Sequence, residues 1–310
     1  MLRYLGKRVI FMFVSLFLIV TATFFLMHSI PGGPFTGERN VPPEIQKALE
    51  AKYNLDLPIS QQYLLYLKGI ITWDLGPSFT EKSSTVNDMI NRGFPVSAHL
   101  GLQALLVAIF GGISLGVLAA LYHNKWQDYS AMLIAVLGLS VPSFILASFY
   151  QYFFSIELGW FPIAKWETWK HTVLPTFALA ASPLAFIARL TRSNMIEIMG
   201  QDYIKTAKSK GLSTFVITVK HAIRNALLPV ITYLGPLSAS ILTGAFVVER
   251  IFGIPGLGRE FVISITNRDY TVIMGTTVFY AMILVVMVLI VDIAYTLIDP
   301  RIKLGDVGRE

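Results

Sequence analysis

Six long apolar segments alternate with polar intervals along this chain of 310 residues. Each is close to, or longer than, the about 20 residues that an α-helix needs to cross the hydrocarbon core of a bilayer. The pattern therefore predicts an all-α membrane protein with six transmembrane helices. The predicted spans are 9–27, 94–122, 129–154, 172–190, 227–248 and 271–298.

The first apolar segment could instead belong to a cleaved secretory signal. Its run of 9–27 is longer than a typical signal core, and residues 28–31, His-Ser-Ile-Pro, form no small-residue cleavage site. Arg3, Lys7 and Arg8 precede it. Since basic residues favour the cytoplasmic side, we expect a retained helix with a cytoplasmic N terminus, and six crossings return the C terminus to that side.

Composition supports the membrane interpretation. Hydrophobic residues make up 54% of the chain, charged residues only 14%, and the mean hydropathy is +0.61. A net charge of +6 would suggest nucleic acid in a soluble protein, but more than half of the 25 Lys and Arg residues lie in segments that this topology places inside. We therefore expect contact with membrane lipid and no nucleic acid. The chain has no cysteine, which excludes disulfides and thiolate metal sites.

The polar segments divide the chain into four predicted regions. Residues 1–30 are an N-terminal tail and the first helix, and 31–93 are a small extracytoplasmic insertion with helical patterns at 43–53 and 59–71 and a turn at 74–79. Residues 94–298 are a five-helix core, and 299–310 are a cytoplasmic tail. The insertion either docks a soluble partner or only packs on the helix ends. A Gly-Pro-Gly cluster within 249–270 predicts a sharp turn followed by a short surface or re-entrant helix.

The longest polar interval of the second half, 202–229, reads as two short helices joined by a glycine. Asp202 is placed to cap the first helix or to complement its dipole, and Gly211 supplies the left-handed position at which helices commonly end. Ser213 is the expected cap of the second helix, and Pro229 marks the entry to the next span. The second helix is expected to present one apolar face, formed by Phe215, Val219, Ala222 and Ile223.

Candidate catalytic patterns are few. Residues 112–116 read Gly-x-Ser-x-Gly around Ser114, the pattern of a hydrolase nucleophile, but they lie inside an apolar span, where small residues favour close helix packing. An intramembrane hydrolase remains an alternative that needs a histidine at matching depth. The chain contains no G-x-x-x-x-G-K-[ST] phosphate loop, so we expect no ATPase site of its own, no cofactor and no metal.

Asp292 is the one carboxylate well inside a predicted span. It is a candidate for the transport path or for an ion pair with Arg189. A single acidic residue argues against a proton relay, and hence against a proton-coupled secondary peptide transporter, which is kept as the alternative function.

The polar interval also carries a family resemblance. The run KTAKSKG at 205–211 resembles the "EAA" loop of ATP-binding-cassette importer permeases, with Lys205, Thr206 and Ala207 at the three named positions and Gly211 at the glycine. Lys205 replaces the acidic residue of the loop, and the interval up to Pro229 is long. Both departures are typical of the peptide and nickel branch. The ordered strings that resemble the first membrane subunit of bacterial oligopeptide importers are GGPFTGERNVPPE at 32–44, EAKYNLDLPI at 50–59, DLGPSF at 74–79, FPVSAHLG at 94–101, KTAKSKGL at 205–212, RNALLPV at 224–230, GIPGLG at 253–258, NRDY at 267–270 and DPRI at 299–302.

The resemblance implies a six-helix subunit of the type I importer kind in the bacterial inner membrane. It implies four partners: a second homologous permease subunit, two cytoplasmic ATP-binding subunits and a periplasmic oligopeptide-binding protein. It also implies coupling helices at 202–226, on which the ATPases act when they close. By the same resemblance, the permease then moves oligopeptides across the membrane by alternating access. The implied ATPase-coupling residues are Asp202, Lys205, Thr206, Ala207, Lys208 and Gly211.

Overall fold

The computed structural model describes residues 2–31, 33–35, 43–81, 83–242 and 246–298, and these residues are mainly helical. The predicted tail 299–310, most of the string at 32–44 and the DPRI string lie outside them. The helices are α1 (Leu2–His28), α2 (Pro43–Lys52), α3 (Ile59–Thr72), α4 (Val86–Leu121), α5 (Trp126–Ser140), α6 (Ser143–Tyr150), α7 (Lys170–Met199), α8 (Asp202–Ser209), α9 (Thr214–Val216), α10 (Ile223–Ala226), α11 (Leu228–Leu242), α12 (Phe246–Ile251), α13 (Leu257–Thr266) and α14 (Tyr270–Ile298), with two π-helical segments, π1 (Gln151–Glu157) and π2 (Ile217–Ala222).

Among the described residues, five stretches are long and apolar enough to cross a membrane without a sharp break, and a bent helix pair brings the number to six. They lie in α1, α4, α7, α11 with α12, and α14. The prediction of an all-α protein with six spans is confirmed in this form. The helix of the second span begins at Val86 rather than at residue 94. The last residues of the predicted insertion, 86–93, form its first turns.

The predicted span 129–154 is not one continuous helix. α5 ends at Ser140, α6 begins at Ser143, and the two pieces meet at an angle of 105°. Pro142 lacks an N–H group and disfavours helical geometry in the residue before it, and Val141 is accordingly extended, with φ −94° and ψ 120°. The span is therefore a broken one, and π1 extends its second half to Glu157.

The chain forms two compact units, of which the first comprises Met1–Val96 and Gly256–Val285. The helices predicted at 43–53 and 59–71 are confirmed as α2 and α3. The core of the unit gathers Leu75 from the loop after α3 and residues from the first turns of α4, α13 and α14. Its buried members are Leu75, Val86, Met89, Ile90, Leu257 and Val272.

A buried carboxylate joins two strings of this unit that lie far apart in sequence. Asp269 has no exposed surface, and its Oδ2 accepts hydrogen bonds from Ser78 Oγ at 2.5 Å and from the Phe79 and Thr80 amides at 3.0 and 3.1 Å. Its Oδ1 accepts from the Val272 amide in the first turn of α14. Asp269 therefore caps α14 and holds the loop at 78–80 with the same side chain.

The second unit comprises Ser97–Pro255 and Val286–Glu310, and helices pack closely in it at small residues. A Cβ added at Gly112 would lie 2.8 Å from Ile187 Cβ, and one at Gly116 would lie 2.5 Å from the Ala188 carbonyl oxygen. Ser114 itself is exposed. The Gly-x-Ser-x-Gly pattern thus lies inside α4, with its two glycines against α7, which supports the packing interpretation.

Replacing Gly116 by Val should destabilise this contact by about 1–3 kcal/mol, the usual cost of overpacking, because the nearest atoms are backbone atoms and a Cβ of α7, which cannot rotate away. Thermal unfolding of the purified protein in detergent measures the loss. Ser114→Ala is the matched control on the exposed side of the same helix and should melt as the parent does. Equal melting temperatures for all three proteins would contradict the packing role.

Candidate functional site

The short helix α8 has one buried and one exposed face. Ile204 and Ala207 are buried in a cluster with Met195, Ile217, Ala222 and Ala226, against Val117 and Ala120 of α4 and Ile198 of α7. The remaining predicted coupling residues are exposed: Asp202, Lys205, Thr206, Lys208 and Gly211. Ala207 is therefore an anchor of the helix, and the exposed residues form its outer surface.

The predicted glycine hinge is present. Gly211 has a φ of +77°, and its amide donates to the Lys208 carbonyl at 2.9 Å. The Leu212 amide donates to the Ala207 carbonyl at 3.3 Å, so the last turn of α8 closes on the hinge. Ser213 caps the next helix as expected, with its side chain accepting from the Val216 amide. The N-cap position of α8, in contrast, is Gln201, and Asp202 lies in the first turn, where it complements the helix dipole.

The apolar face predicted for the second helix is wrong in two of its four residues. Phe215 is 75% exposed and Val219 is 50% exposed, whereas Ile217 and Ala222 are buried. The reason is the π-helical geometry of Ile217–Ala222, in which residues five apart lie one above the other. The prediction assumed the α-helical period, which placed Phe215 and Val219 on the same face as Ala222.

Side-chain hydrogen bonds join the two helices of this segment to each other and to a span. Asn225 Nδ2 donates to Tyr203 Oη at 3.0 Å, which links α10 to α8. Asn194 Nδ2 donates to the Ala226 carbonyl at 3.2 Å, which links α7 to α10. The segment 202–226 is therefore connected internally and packs on α7. Polar residues at these positions carried no periodic signal from which the contacts could have been predicted.

The exposed surface of the segment is basic. Lys205 donates to Asp202 Oδ1 at 2.8 Å, but both side chains are well exposed, and ion pairs of this kind contribute little to stability. The other exposed cations are Lys208, Lys210, Lys220 and Arg224. Together with the exposed rings of Tyr203 and Phe215, they form a mixed basic and apolar surface.

A buried ion pair lies near this segment, between the first turn of α5 and α7, and sequence reasoning missed it. Asp128 is 1% exposed, and Arg192 contacts it twice, Nε to Oδ1 at 2.5 Å and Nη2 to Oδ2 at 2.7 Å. Asp128 Oδ2 also accepts from the Asn124 amide at 2.9 Å. His123 Nδ1 lies 3.2 Å from Arg192 Nη2 and 3.3 Å from Asp128 Oδ2. The only signal in the sequence was an acidic residue directly before an apolar run.

The other predicted ion pair has a different outcome. Arg189, one turn before Arg192, is exposed. Asp292 belongs to α14, and its side chain lies outside the described part of the structure. The pair of Asp292 with Arg189 therefore stays a prediction. Among the described residues, no group of three or more His, Cys, Asp or Glu side chains could hold a metal ion.

The comparisons with known proteins define the class. The family model described as "Binding-protein-dependent transport system inner membrane component" matches residues 112–304, and the model for the N-terminal part of such membrane components matches residues 1–101. The chain belongs to this family. It is a multi-pass inner membrane permease, and the expectation of a permease subunit of an ATP-binding-cassette importer is confirmed, whereas the proton-coupled alternative finds no support.

Two curated relatives match over almost the whole chain. The dipeptide transport system permease protein DppB of Bacillus subtilis (strain 168) is 57% identical over 99% of this chain and 100% of its own length. The oligopeptide transport system permease protein OppB of Haemophilus influenzae is 44% identical over 98% of this chain and 100% of its own. A solved structure of an amino acid ABC transporter with histidines is 18% identical, covers 69% of this chain and 93% of its own, and has a TM-score of 0.48.

Proposed function

We propose that this permease carries peptides and works in a complex with four partners: a second homologous permease subunit, two cytoplasmic ATP-binding subunits and an extracytoplasmic peptide-binding protein. Full-length relatives named for dipeptide and for oligopeptide transport support the peptide class. Because the dipeptide-named relative is the more similar of these two, the proposal covers both length classes. The chain itself supplies the path and no ATPase site.

The observation that carries the proposal is the two-sided packing of α8. Ile204 and Ala207 fix its inner face to Met195 of α7 and to Val117 and Ala120 of α4, while Lys205, Thr206 and Lys208 remain exposed. A partner that binds the exposed side therefore moves a helix that is packed directly on two spans. Since packed interfaces shift as bodies rather than bend, a displacement of α8 reaches the spans.

The proposed cycle follows from this connection. Closure of the ATP-binding subunits displaces the segment 202–226, and the attached spans move between inward-open and outward-open arrangements. The peptide crosses because each arrangement opens the path to one side. The proposed orientation places both termini in the cytoplasm and the 31–93 insertion outside. With six crossings, Lys7, Arg8 and the basic segment 202–226 fall on the same side of the membrane, and basic residues favour the cytoplasmic side.

Reconstitution of the complete complex tests the proposal. Liposomes that contain the four membrane-associated subunits should show vanadate-sensitive ATPase activity that rises when the binding protein and a peptide are added, and labelled dipeptides or longer peptides should accumulate. Omission of this chain should abolish uptake. Solute accumulation by this chain alone, driven by an ion gradient, would overturn the proposal.

Replacing Gly211 by Val should uncouple ATP hydrolysis from uptake. The residue has a φ of +77°, which costs a β-branched residue about 1–2 kcal/mol, but no atom lies within 4 Å of the added Cβ. The chain should therefore insert and assemble normally, with the end of α8 distorted. Peptides transported per ATP hydrolysed is the quantity to measure. Gly159→Val, at a left-handed glycine with equally open surroundings, is the matched control, and an unchanged ratio in both variants would remove the hinge from the mechanism.

A further inference from the structure

The helix α3 of the predicted extracytoplasmic insertion has an exposed apolar stripe. Leu64 is 64% exposed and Ile71 is 84% exposed. Leu67 lies between them at helical spacing, so the three side chains follow one flank. Gln61 and Lys68 lie on a second ridge, seven residues apart, with Leu65, which is 46% exposed, between them. A helix with an apolar flank beside polar side chains is typical of the membrane interface.

Contacts with α1 set the depth of the first half of α3. Tyr63 Oη lies 2.7 Å from Thr21 Oγ1, the Tyr63 and Tyr66 rings lie 5.2 and 5.5 Å from the Phe24 ring, and His28 Nε2 lies 3.0 Å from Gln62 Oε1. Thr21 is six residues inside the end of the apolar run of α1. At 1.5 Å per residue, this is about 9 Å below the edge of the hydrocarbon layer.

The C-terminal end of α3 also contacts a span. The ring of Trp73, the residue after α3, is 6.3 Å from the ring of Phe279 on α14. Phe279 is eight residues inside the predicted apolar run of α14, about 12 Å along its axis. Both ends of α3 therefore contact side chains that lie within the apolar runs of membrane spans.

We propose that α3 is embedded in the leaflet opposite the N terminus, with Leu64, Leu67 and Ile71 against lipid acyl chains. Its flank continues the exposed apolar surface of α1, to which Phe25 contributes beside Tyr63. Gln61 and Lys68 then face the headgroups, and the Lys68 stem extends its ammonium group towards them. Part of the insertion is thus a membrane element rather than a soluble cap. The inference rests only on α1 and α14 crossing the bilayer, and not on the proposed cargo.

Absence of cysteine makes the test direct. Single cysteines at Leu64 and Ile71, and matched cysteines at Gln61 and Lys68 on the second ridge, are labelled with bimane in the assembled transporter, whose other subunits carry no reactive cysteine. All four positions are exposed, so the substitutions leave the fold intact. The vesicles contain either ordinary or brominated phosphatidylcholine, and iodide is the aqueous quencher.

We expect blue-shifted emission at Leu64 and Ile71, with loss of intensity in brominated lipid and little quenching by iodide. The ridge positions should show the reverse pattern. Equal iodide quenching at all four positions would place α3 in water and overturn the inference. Protection of Leu64 and Ile71 from both quenchers would also overturn it, because a protein partner would then cover the flank.

Discussion

Replacing Ile204 by Asp is expected to abolish peptide uptake while the spans remain folded. Ile204 has no exposed surface and lies in the cluster that holds α8 on α7 and α4. Burial of a carboxylate in this cluster would destabilise the folded protein by roughly 3 kcal/mol or more. Release of α8 from the cluster avoids this cost, because the carboxylate then reaches water. The connection between the exposed coupling surface and the spans would then be lost.

Uptake and ATPase activity of the reconstituted complex, together with hydrogen exchange across 202–226, measure this effect. Faster exchange confined to the segment shows release of α8 without global unfolding. Ile204→Val is the matched control and should cost only about 0.5–1.5 kcal/mol with uptake retained. Normal uptake by the Asp variant would mean that α8 transmits no motion to the spans.

The second large effect concerns the ion pair of Asp128 and Arg192. Loss of one partner from a buried pair typically costs about 3–5 kcal/mol, because the remaining charge stays buried without compensation. The Asp128 side chain is 2% exposed and that of Arg192 is 24% exposed. Arg192→Gln, which leaves the carboxylate, should therefore destabilise the protein more than Asp128→Asn, which leaves the guanidinium with partial access to water.

Thermal unfolding of the two single variants and of the double variant forms a thermodynamic cycle. The double variant should recover part of the loss, since it contains no unpaired charge. Glu197→Gln is the matched control on the same helix, at an exposed position, and should change the melting temperature little. Additive losses in the double variant would show that the two residues do not act as a pair.

The spans and the insertion helices could be predicted because each has its own periodic signal within a continuous stretch. The same holds for Gly211 and Ser213, whose roles depend on local backbone geometry. The break at Pro142 could have been predicted from the proline itself, but the apolar run around it is continuous and favoured one helix.

The remaining differences come from interactions that no local pattern contains. The pair of Asp128 and Arg192 depends on how α5 packs against α7, since the two residues are 64 positions apart. The exposure of Phe215 and Val219 follows from the π-helical turns of Ile217–Ala222, which shift the buried positions away from the α-helical period. Polar bonds such as that between Tyr203 and Asn225 depend in the same way on the tertiary arrangement.

Asp269 has a consequence for exchanging parts between relatives. Its carboxylate accepts from Ser78, Phe79 and Thr80 in the loop before α4 and from Val272 in α14, so the end of the insertion and the first turn of α14 form a single structural module. A chimaera that transplants residues 31–93 alone would combine the loop at 78–80 of one protein with the Asp269 position of another. Chimaeras of homologous permeases should therefore exchange residues 267–272 together with the insertion, because the two segments form one structural unit.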